Sequence, residues 1–352
     1  MKRALVVVVA FTVACGAVLA GSQQEAEAPA EQIIVAMATD IGGLGDKSFN
    51  DGAWAGLQRG QTELGVEARM IESHQQTDYV PNLSGLAEDG AKLVFGVGFL
   101  MADAIVEVAA NYPEVYFAGI DIWVDAGTAP KNALGILFKE QESGYLAGIV
   151  AGLMTKEYAD KSPRLNDQNV VGMVLGMDIP PVERYQAGFY AGVMSVNPDC
   201  DVRSIVTGSF EDPAKGKEAA LALIEQGADI VFPIAGTTGL GVIDAAKEKG
   251  VVAFGVDVDQ YATAPDTIMT SAEKKITEAA FLAIKDVVDG KFEGGKSIVL
   301  GLNEGATGIA DFHEFDSVVP RTVKDAVNQA VTDIKAGRTA VPATRADAGY
   351  EG

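Results

Sequence analysis

Residues 33–65 read IIVAMATDIGGLGDKSFNDGAWAGLQRGQTELG: an apolar run, a glycine-rich turn and a helical stretch, in that order. Ile33–Met37 is short and continuously apolar, as a strand covered on both faces must be. Glycines at 42, 43 and 45 break the run, and Phe49–Leu64 then carries helical spacing until Gly65 stops it. A strand, a loop at its carboxyl end and a covering helix make one unit of a parallel sheet.

The unit recurs. Val66–Ile71 predicts a second strand, followed by a helix through Leu83 and Leu86 that ends near Gly90. Leu93–Gly96 is a third strand, with helix Met101–Ala110 stopped by Asn111-Tyr112-Pro113, and strands at Val115–Ile120 and Ala133–Phe138 complete the series. A second series opens with helix Ser143–Leu153. It continues through strand Val170–Leu175, helix Val182–Val193, strand Val202–Val206 and helix Ala214–Gln226. Strand Ile230–Ile234, helix Gly241–Lys249 and strand Val252–Val256 follow. Two such series predict an α/β protein with two doubly wound parallel-sheet lobes. The length of 352 residues exceeds the ~100–200 of a typical single domain and accommodates both. The polar stretch KEYADKSPRLNDQ, 156–168, lies inside the second series and reads as a surface loop.

Composition narrows the function. Lys and Arg number 27 against 49 Asp and Glu, a net charge of -22, and such a surface repels phosphate backbones, so nucleic acid is not an expected partner. Two histidines and two cysteines do not build a conventional zinc site without carboxylates, and no metal or cofactor is expected. His74 and His313 sit in polar surroundings and read as surface residues, and Cys200 as a small semi-buried residue without a disulfide.

Residues 1–20 read as an export signal: Lys2 and Arg3, then the apolar run Ala4–Val13, too short to span a bilayer. Two processing routes stand open. In the favoured one Ala14-Cys15-Gly16 is a lipobox and Cys15 becomes the lipidated N-terminus; in the other, cleavage after Val18-Leu19-Ala20 discards Cys15. Residues 21–32, GSQQEAEAPAEQ, suit a flexible acidic tether. The expected location is therefore outside the cytoplasm at the cell membrane, with the body held by a lipid anchor and facing the periplasm or exterior.

In open parallel sheets ligands bind beyond the carboxyl ends of the strands. The loops there carry aromatics (Phe49, Phe99, Phe210), acceptors (Asp40, Asp46, Asn50, Asp121, Asp257) and the amides of Ala235-Gly236-Thr237-Thr238-Gly239. Each has a blander use: loop phenylalanines pack lobes together, and Asp257 suits a helix cap or hinge bond. Asp46 and Lys47 are assigned to loop structure. Gly290–Ser297, GKFEGGKS, matches a phosphate-loop pattern, but a helical run (Ala279–Val288) precedes it and a strand (Ile298–Leu300) follows. That order is the reverse of what the mechanism needs, leaving a glycine-rich connector. Gly236, Gly239 and Gly241 reverse the dinucleotide spacing, and no G-x-S-x-G, HExxH or CxxC occurs, so no enzyme is expected.

The stretch Thr39–Asn50, followed by Ala53-Trp54-Ala55-Gly56-Leu57, resembles the opening of the basic membrane protein (Bmp) family, purine-nucleoside-binding lipoproteins of ABC importers. The likeness continues through Phe138, Glu142, Tyr145-Leu146-Ala147-Gly148, Gly176-Met177, Ala187-Gly188-Phe189 and Phe210-x-Asp212-Pro213-x-Lys215-Gly216. It closes with Ala235–Gly239, Gly255-Val256-Asp257-Val258-Asp259-Gln260 and Thr270-Ser271. The resemblance implies a type I periplasmic binding protein fold, two α/β lobes joined by three crossovers near Phe138, Asp257 and the 290–295 connector. The N-terminal lobe would then comprise 33–138 plus about 258–292, and the C-terminal lobe 139–257 plus about 293–352. It also implies that Phe49 and Phe210 sandwich a purine from opposite lobes. Asp40 and Asn50 would address the base edge, Asp257 the ribose hydroxyls, and Lys274 the ribose side; Asp121 and Gly236 join the expected ligand-binding set from their places at the strand tips. The chain departs from the family at Ala272-Glu273, where an acid beside Lys274 makes Lys275 the alternative cation.

Stacking contributes roughly 1–3 kcal/mol per base, whereas micromolar binding needs about 8 and nanomolar about 12 kcal/mol. Charge-assisted hydrogen bonds of ~1.5–3 kcal/mol each must supply the rest. Carboxylates suit hydroxyl and amino donors and repel phosphate, so a nucleoside is expected in preference to a nucleotide. The expected function is capture of a purine nucleoside and its delivery to an ABC permease and its ATPase. The alternatives are a receptor for a sugar or autoinducer on the same fold, or a secreted nucleoside hydrolase, for which Asp40 and Asp46 lack the DxDxxxDD spacing. A sugar-responsive transcription regulator is disfavoured by the signal at the N-terminus.

Overall fold

The computed structural model describes residues 32–351. The export-signal and tether readings, with Cys15, lie outside the described residues.

The first lobe is built on β1 (Ile34–Thr39), β2 (Glu67–Ile71), β3 (Leu93–Val97), β4 (Tyr116–Ile120) and β5 (Ala133–Phe138), with α1 (Phe49–Leu64), α2 (Tyr79–Glu88) and α3 (Ala102–Asn111) between them. These strands lie parallel in the order β2-β1-β3-β4-β5. Strand β1, flanked on both sides by β2 and β3, shows why its sequence is continuously apolar. Val35 and Met37 pack into one hydrophobic cluster, Ala36 and Ala38 into another on the opposite face. Ser48 caps α1 by accepting from the Phe49 N–H, and Gly65 ends it in the left-handed conformation.

The second lobe is built on β6 (Val170–Leu175), β7 (Asp201–Val206), β8 (Ala228–Ile234), β9 (Val252–Asp257) and β10 (Ile268–Lys274), covered by α4 (Glu140–Lys156), α5 (Pro180–Val196), α6 (Pro213–Glu225) and α7 (Thr237–Lys249). The chain then adds α8 (Ile276–Val288) and β11 (Lys296–Leu300) to the first lobe, β11 pairing parallel with β5. It returns through β12 (Thr307–Ile309), antiparallel to β10, and ends with α9 (Arg321–Lys335) and α10 (Arg345–Ala348). Helices α4 and α5 meet backbone to backbone. A methyl group placed on Gly148 would collide with the Phe189 carbonyl, and one on Gly192 with that of Tyr145.

The chain changes lobes at Lys139, at Lys275 and across 301–306. Two crossover positions expected from the sequence are corrected. At Asp257 the chain stays in the second lobe, because β9 and β10 pair in one sheet, and 290–295 only joins α8 to β11 within the first. The lobes accordingly comprise 33–138 with 276–300, and 140–274 with the segment after 306. Strand β10 escapes a reading based on apolar runs because its buried Thr270, Ser271 and Lys274 are polar. Each finds a partner: Thr270 donates to the Ala310 carbonyl at 2.8 Å, and Ser271 Oγ accepts from Gln260 N at 3.1 Å.

The first turn of α4 laces the crossovers together. Glu142 Oε2 accepts from Leu302 N at 2.6 Å and Thr307 Oγ1 at 3.0 Å. Ser143 Oγ donates to the Glu273 carbonyl at 2.6 Å and accepts from Gly308 N at 3.1 Å. Elsewhere, Cys200 is a buried free thiol whose pKa burial pushes up to about 12. His74 is exposed, and His313 stacks on Tyr261 with ring centroids 4.0 Å apart. Among the described residues no helix is long and apolar enough to cross a membrane.

Candidate functional site

The carboxyl ends of the two sheets face a common cleft lined by residues of both lobes. All eight ligand-binding residues expected from the sequence line it. Asp40, Phe49, Asn50 and Asp121 come from the first lobe, and Phe210, Gly236, Asp257 and Lys274 from the second.

At one end Asp40 follows β1 and Asn50 lies in the first turn of α1. Asp40 Oδ1 accepts from Gly42 N at 2.9 Å and from Asn50 Nδ2 at 3.0 Å. Burial nevertheless raises the Asp40 pKa above the ordinary value, these two hydrogen bonds opposing it. Asp46 organises the loop, accepting from the backbone N–H groups of Ser48, Asn50 and Asp51. It also reaches the cleft wall, and burial lifts its pKa to about 7. The Phe210 ring packs onto the backbone of Gly176, where a Cβ would overlap it.

At the other end Lys274, 2% exposed, donates to Asp121 Oδ2 at 2.7 Å and Glu140 Oε1 at 3.3 Å, with Asp257 Oδ1 at 3.8 Å. Burial works against the ammonium, but Asp121, Glu140 and Asp257 more than offset it and raise its pKa. Burial lifts Asp121 to about 7 despite Lys274. Its Oδ1 is buried without a partner, and both Asp121 and Asp257 take the left-handed backbone, at φ 62° and 65°. Asp is among the few residues that tolerate it. The Lys274 ammonium also stands 4.8 Å from the Phe49 ring centroid. Lys275 is not a rival, since Glu273 pairs with it at 2.6 Å and leaves Lys274 to the cleft.

Bonds cross between the lobes around the rim. Ser48 Oγ donates to Asp257 Oδ2 at 3.1 Å, Gln260 Nε2 to the Lys47 carbonyl at 3.0 Å, and Thr237 Oγ1 to the Gly42 carbonyl at 3.2 Å.

Sequence reasoning missed Glu140, Arg184 and Tyr185. Glu140 is wholly buried and accepts from Arg184 Nε at 2.5 Å, and the Tyr185 hydroxyl donates to Asp257 Oδ1 at 3.3 Å. Glu140 lies two residues beyond β5, at a strand end that offered no loop to inspect. Arg184 and Tyr185 fall in the helix just past the loop that follows β6. That loop's wall, Ile179, Pro181 and Val182, is braced from outside by Arg345, which donates to Asp178 at 2.8 Å and approaches Glu183 at 3.5 Å. Five buried carboxylates thus face two cations, Lys274 and Arg184, an arrangement hostile to a phosphorylated ligand.

A family model described as ABC transporter substrate-binding protein PnrA-like (Bmp) matches residues 33–344. The chain is 32% identical over 372 residues to a Lactococcus lactis protein named ABC transporter nucleoside-binding protein BmpA, spanning 97% of this chain and 99% of that one. An uncharacterized lipoprotein of Pyrococcus abyssi is 36% identical over 302 residues, 83% of this chain and 72% of its own length. A solved ABC transporter solute-binding protein from Aeropyrum pernix K1 superposes with a TM-score of 0.82 at 29% identity, over 90% of this chain and 95% of that one.

Proposed function

We propose a cargo for this chain, which belongs to the Bmp family of PnrA-like ABC transporter substrate-binding proteins: a purine nucleoside, held between the two lobes. The observation that carries the reading is the pairing of Phe49 and Phe210, supplied by opposite lobes to one cleft whose unpaired buried side-chain atoms, Asn50 Oδ1 and Asp121 Oδ1, are both acceptors. Aromatic faces suit a flat heterocycle, and free acceptors suit the hydroxyl and N–H donors of a nucleoside. The Lactococcus lactis relative bears a nucleoside-binding name, which agrees.

A ligand that touches both lobes stabilises the closed form by its differential affinity for it. Asp257 and Lys274 would meet the ribose, and Asp40 and Asn50 the base. Delivery is to a membrane permease driven by its ATPase. The lipoprotein name of the Pyrococcus abyssi relative supports a body anchored through Cys15 and held off the membrane by residues 21–32. Calorimetry with purine nucleosides tests the reading: Phe210→Ala should weaken binding by one to two orders of magnitude, about 1–3 kcal/mol. Unchanged affinity in that variant, or binding of free sugars in place of nucleosides, would overturn it.

A further inference from the structure

We infer that the Asp40–Asn50 corner selects a nucleoside whose ring presents two adjacent N–H donors, a 2-amino-6-oxopurine such as guanosine, over a 6-aminopurine such as adenosine. The inference rests on the nucleoside reading above and specifies its base.

Asn50 is 2% exposed, and its amide orientation is dictated by its neighbours. Nδ2 donates to Asp40 Oδ1 at 3.0 Å and reaches Asp46 Oδ2 at 3.4 Å. Two carboxylate oxygens would repel the amide oxygen, so the nitrogen faces them and Oδ1 turns away. That Oδ1 is buried and has no partner in the protein, a costly state unless a ligand supplies a donor. Asp40 spends Oδ1 on Gly42 N and Asn50 Nδ2, while its Oδ2 has no hydrogen bond and faces Gly98. A Cβ at Gly98 would stand 2.6 Å from that oxygen.

The backbone donors nearest the corner are already engaged. The N–H groups of Gly42 and Gly98 are committed to Asp40 Oδ1 and the Ile120 carbonyl. A Cβ at Gly42 would meet Asp40 Oδ1 at 3.0 Å, Asn50 Nδ2 at 3.2 Å and Phe210 Cβ at 3.7 Å, so the Phe210 side chain arises beside the same two polar groups. A ring stacked on Phe210 therefore brings an edge to Asp40 Oδ2 and Asn50 Oδ1. Guanine meets two acceptors with N1–H and the 2-amino group. Hypoxanthine has N1–H alone, and adenine has only its 6-amino group, flanked by the N1 and N7 lone pairs, so no second adjacent ring donor meets the other acceptor. A site built to hydrogen-bond a donor rejects the analogue that lacks it, because its own groups stay unpaired.

The test is calorimetry on the intact protein with guanosine, inosine, adenosine and N1-methylguanosine, which lacks the N1 donor. Guanosine should bind roughly 10- to 100-fold tighter than adenosine, with inosine between and N1-methylguanosine at least about tenfold weaker than guanosine. Asp40→Asn, which places an amide where the carboxylate stood, should bring guanosine and adenosine to within about threefold. Should that variant fail to fold by thermal melting, the four ligands on the unaltered protein decide the matter. Equal affinity for guanosine and adenosine would overturn the inference and leave the nucleoside reading standing. No binding by any purine nucleoside would overturn both.

Discussion

The two ends of the cleft handle buried charge in opposite ways. At the crossover end Asp121, Glu140 and Asp257 converge on Lys274, with Arg184 behind Glu140. At the other end Asp40 and Asp46 are as deeply buried, yet their hydrogen-bond partners are N–H groups. The first end meets its carboxylates with two cations and leaves Asp121 Oδ1 as its unpaired acceptor. The second has no cation among its hydrogen-bond partners and leaves Asn50 Oδ1 unpaired.

The sharpest way to break the contrast is Lys274→Met. It removes the ammonium that three carboxylates share, and loss of one partner from a buried network costs about 3–5 kcal/mol. Urea unfolding should show that loss, and adding Asp121→Asn should recover part of it. A destabilisation no larger than that of an exposed lysine would mean that the network is inert.

Acidity should act in the next rank. Burial raises Asp46 and Asp121 to about 7 and Asp229, in β8, to about 6. The folded protein keeps these protons at pH values where the unfolded chain, with ordinary carboxyls near 3.8, has released them. Stability therefore rises as pH falls from above 7 toward the ordinary carboxyl range. The melting temperature should be several degrees higher at about pH 5.5 than at about pH 8. Asp46→Asn should flatten that slope. A profile that falls on acidification over this window would contradict it.

Smallest is Arg345→Ala, which removes partly exposed ion pairs with Asp178 and Glu183 behind the cleft wall. Exposed pairs contribute under about 1 kcal/mol, so affinity should change less than about threefold. A larger loss would show that the wall segment depends on its outer brace.

Most strands were legible as apolar runs, because a parallel strand covered on both faces has no polar side to interrupt it. Ala133–Phe138 and Val170–Leu175 appear with the bounds the sequence predicts. Strand β10 was not legible, since its buried Thr270, Ser271 and Lys274 are satisfied by distant partners that no local pattern reveals. The misplaced crossovers follow from that one omission and from reading the 290–295 turn as a lobe boundary. Helix α9 repeats Val323, Val327, Ala330 and Ile334 at helical intervals and was open to the same reading as α1. At the site, residues in loops after strands were found by position, Asp40, Asn50, Asp121 and Asp257 among them. Glu140 and Tyr185 sit inside helices, and only the folded arrangement turns them toward Lys274 and Asp257.

The glycine contact between α4 and α5 has a mechanical consequence. Because carbonyls of one helix sit where side chains of the other would be, the pair has no slack and would move as a single lever. That lever starts beside the Lys139 crossover and carries Val182 and Tyr185 at the cleft wall. New cargo preferences in such a protein would arise by exchanging side chains along a stiff arm, not by bending it.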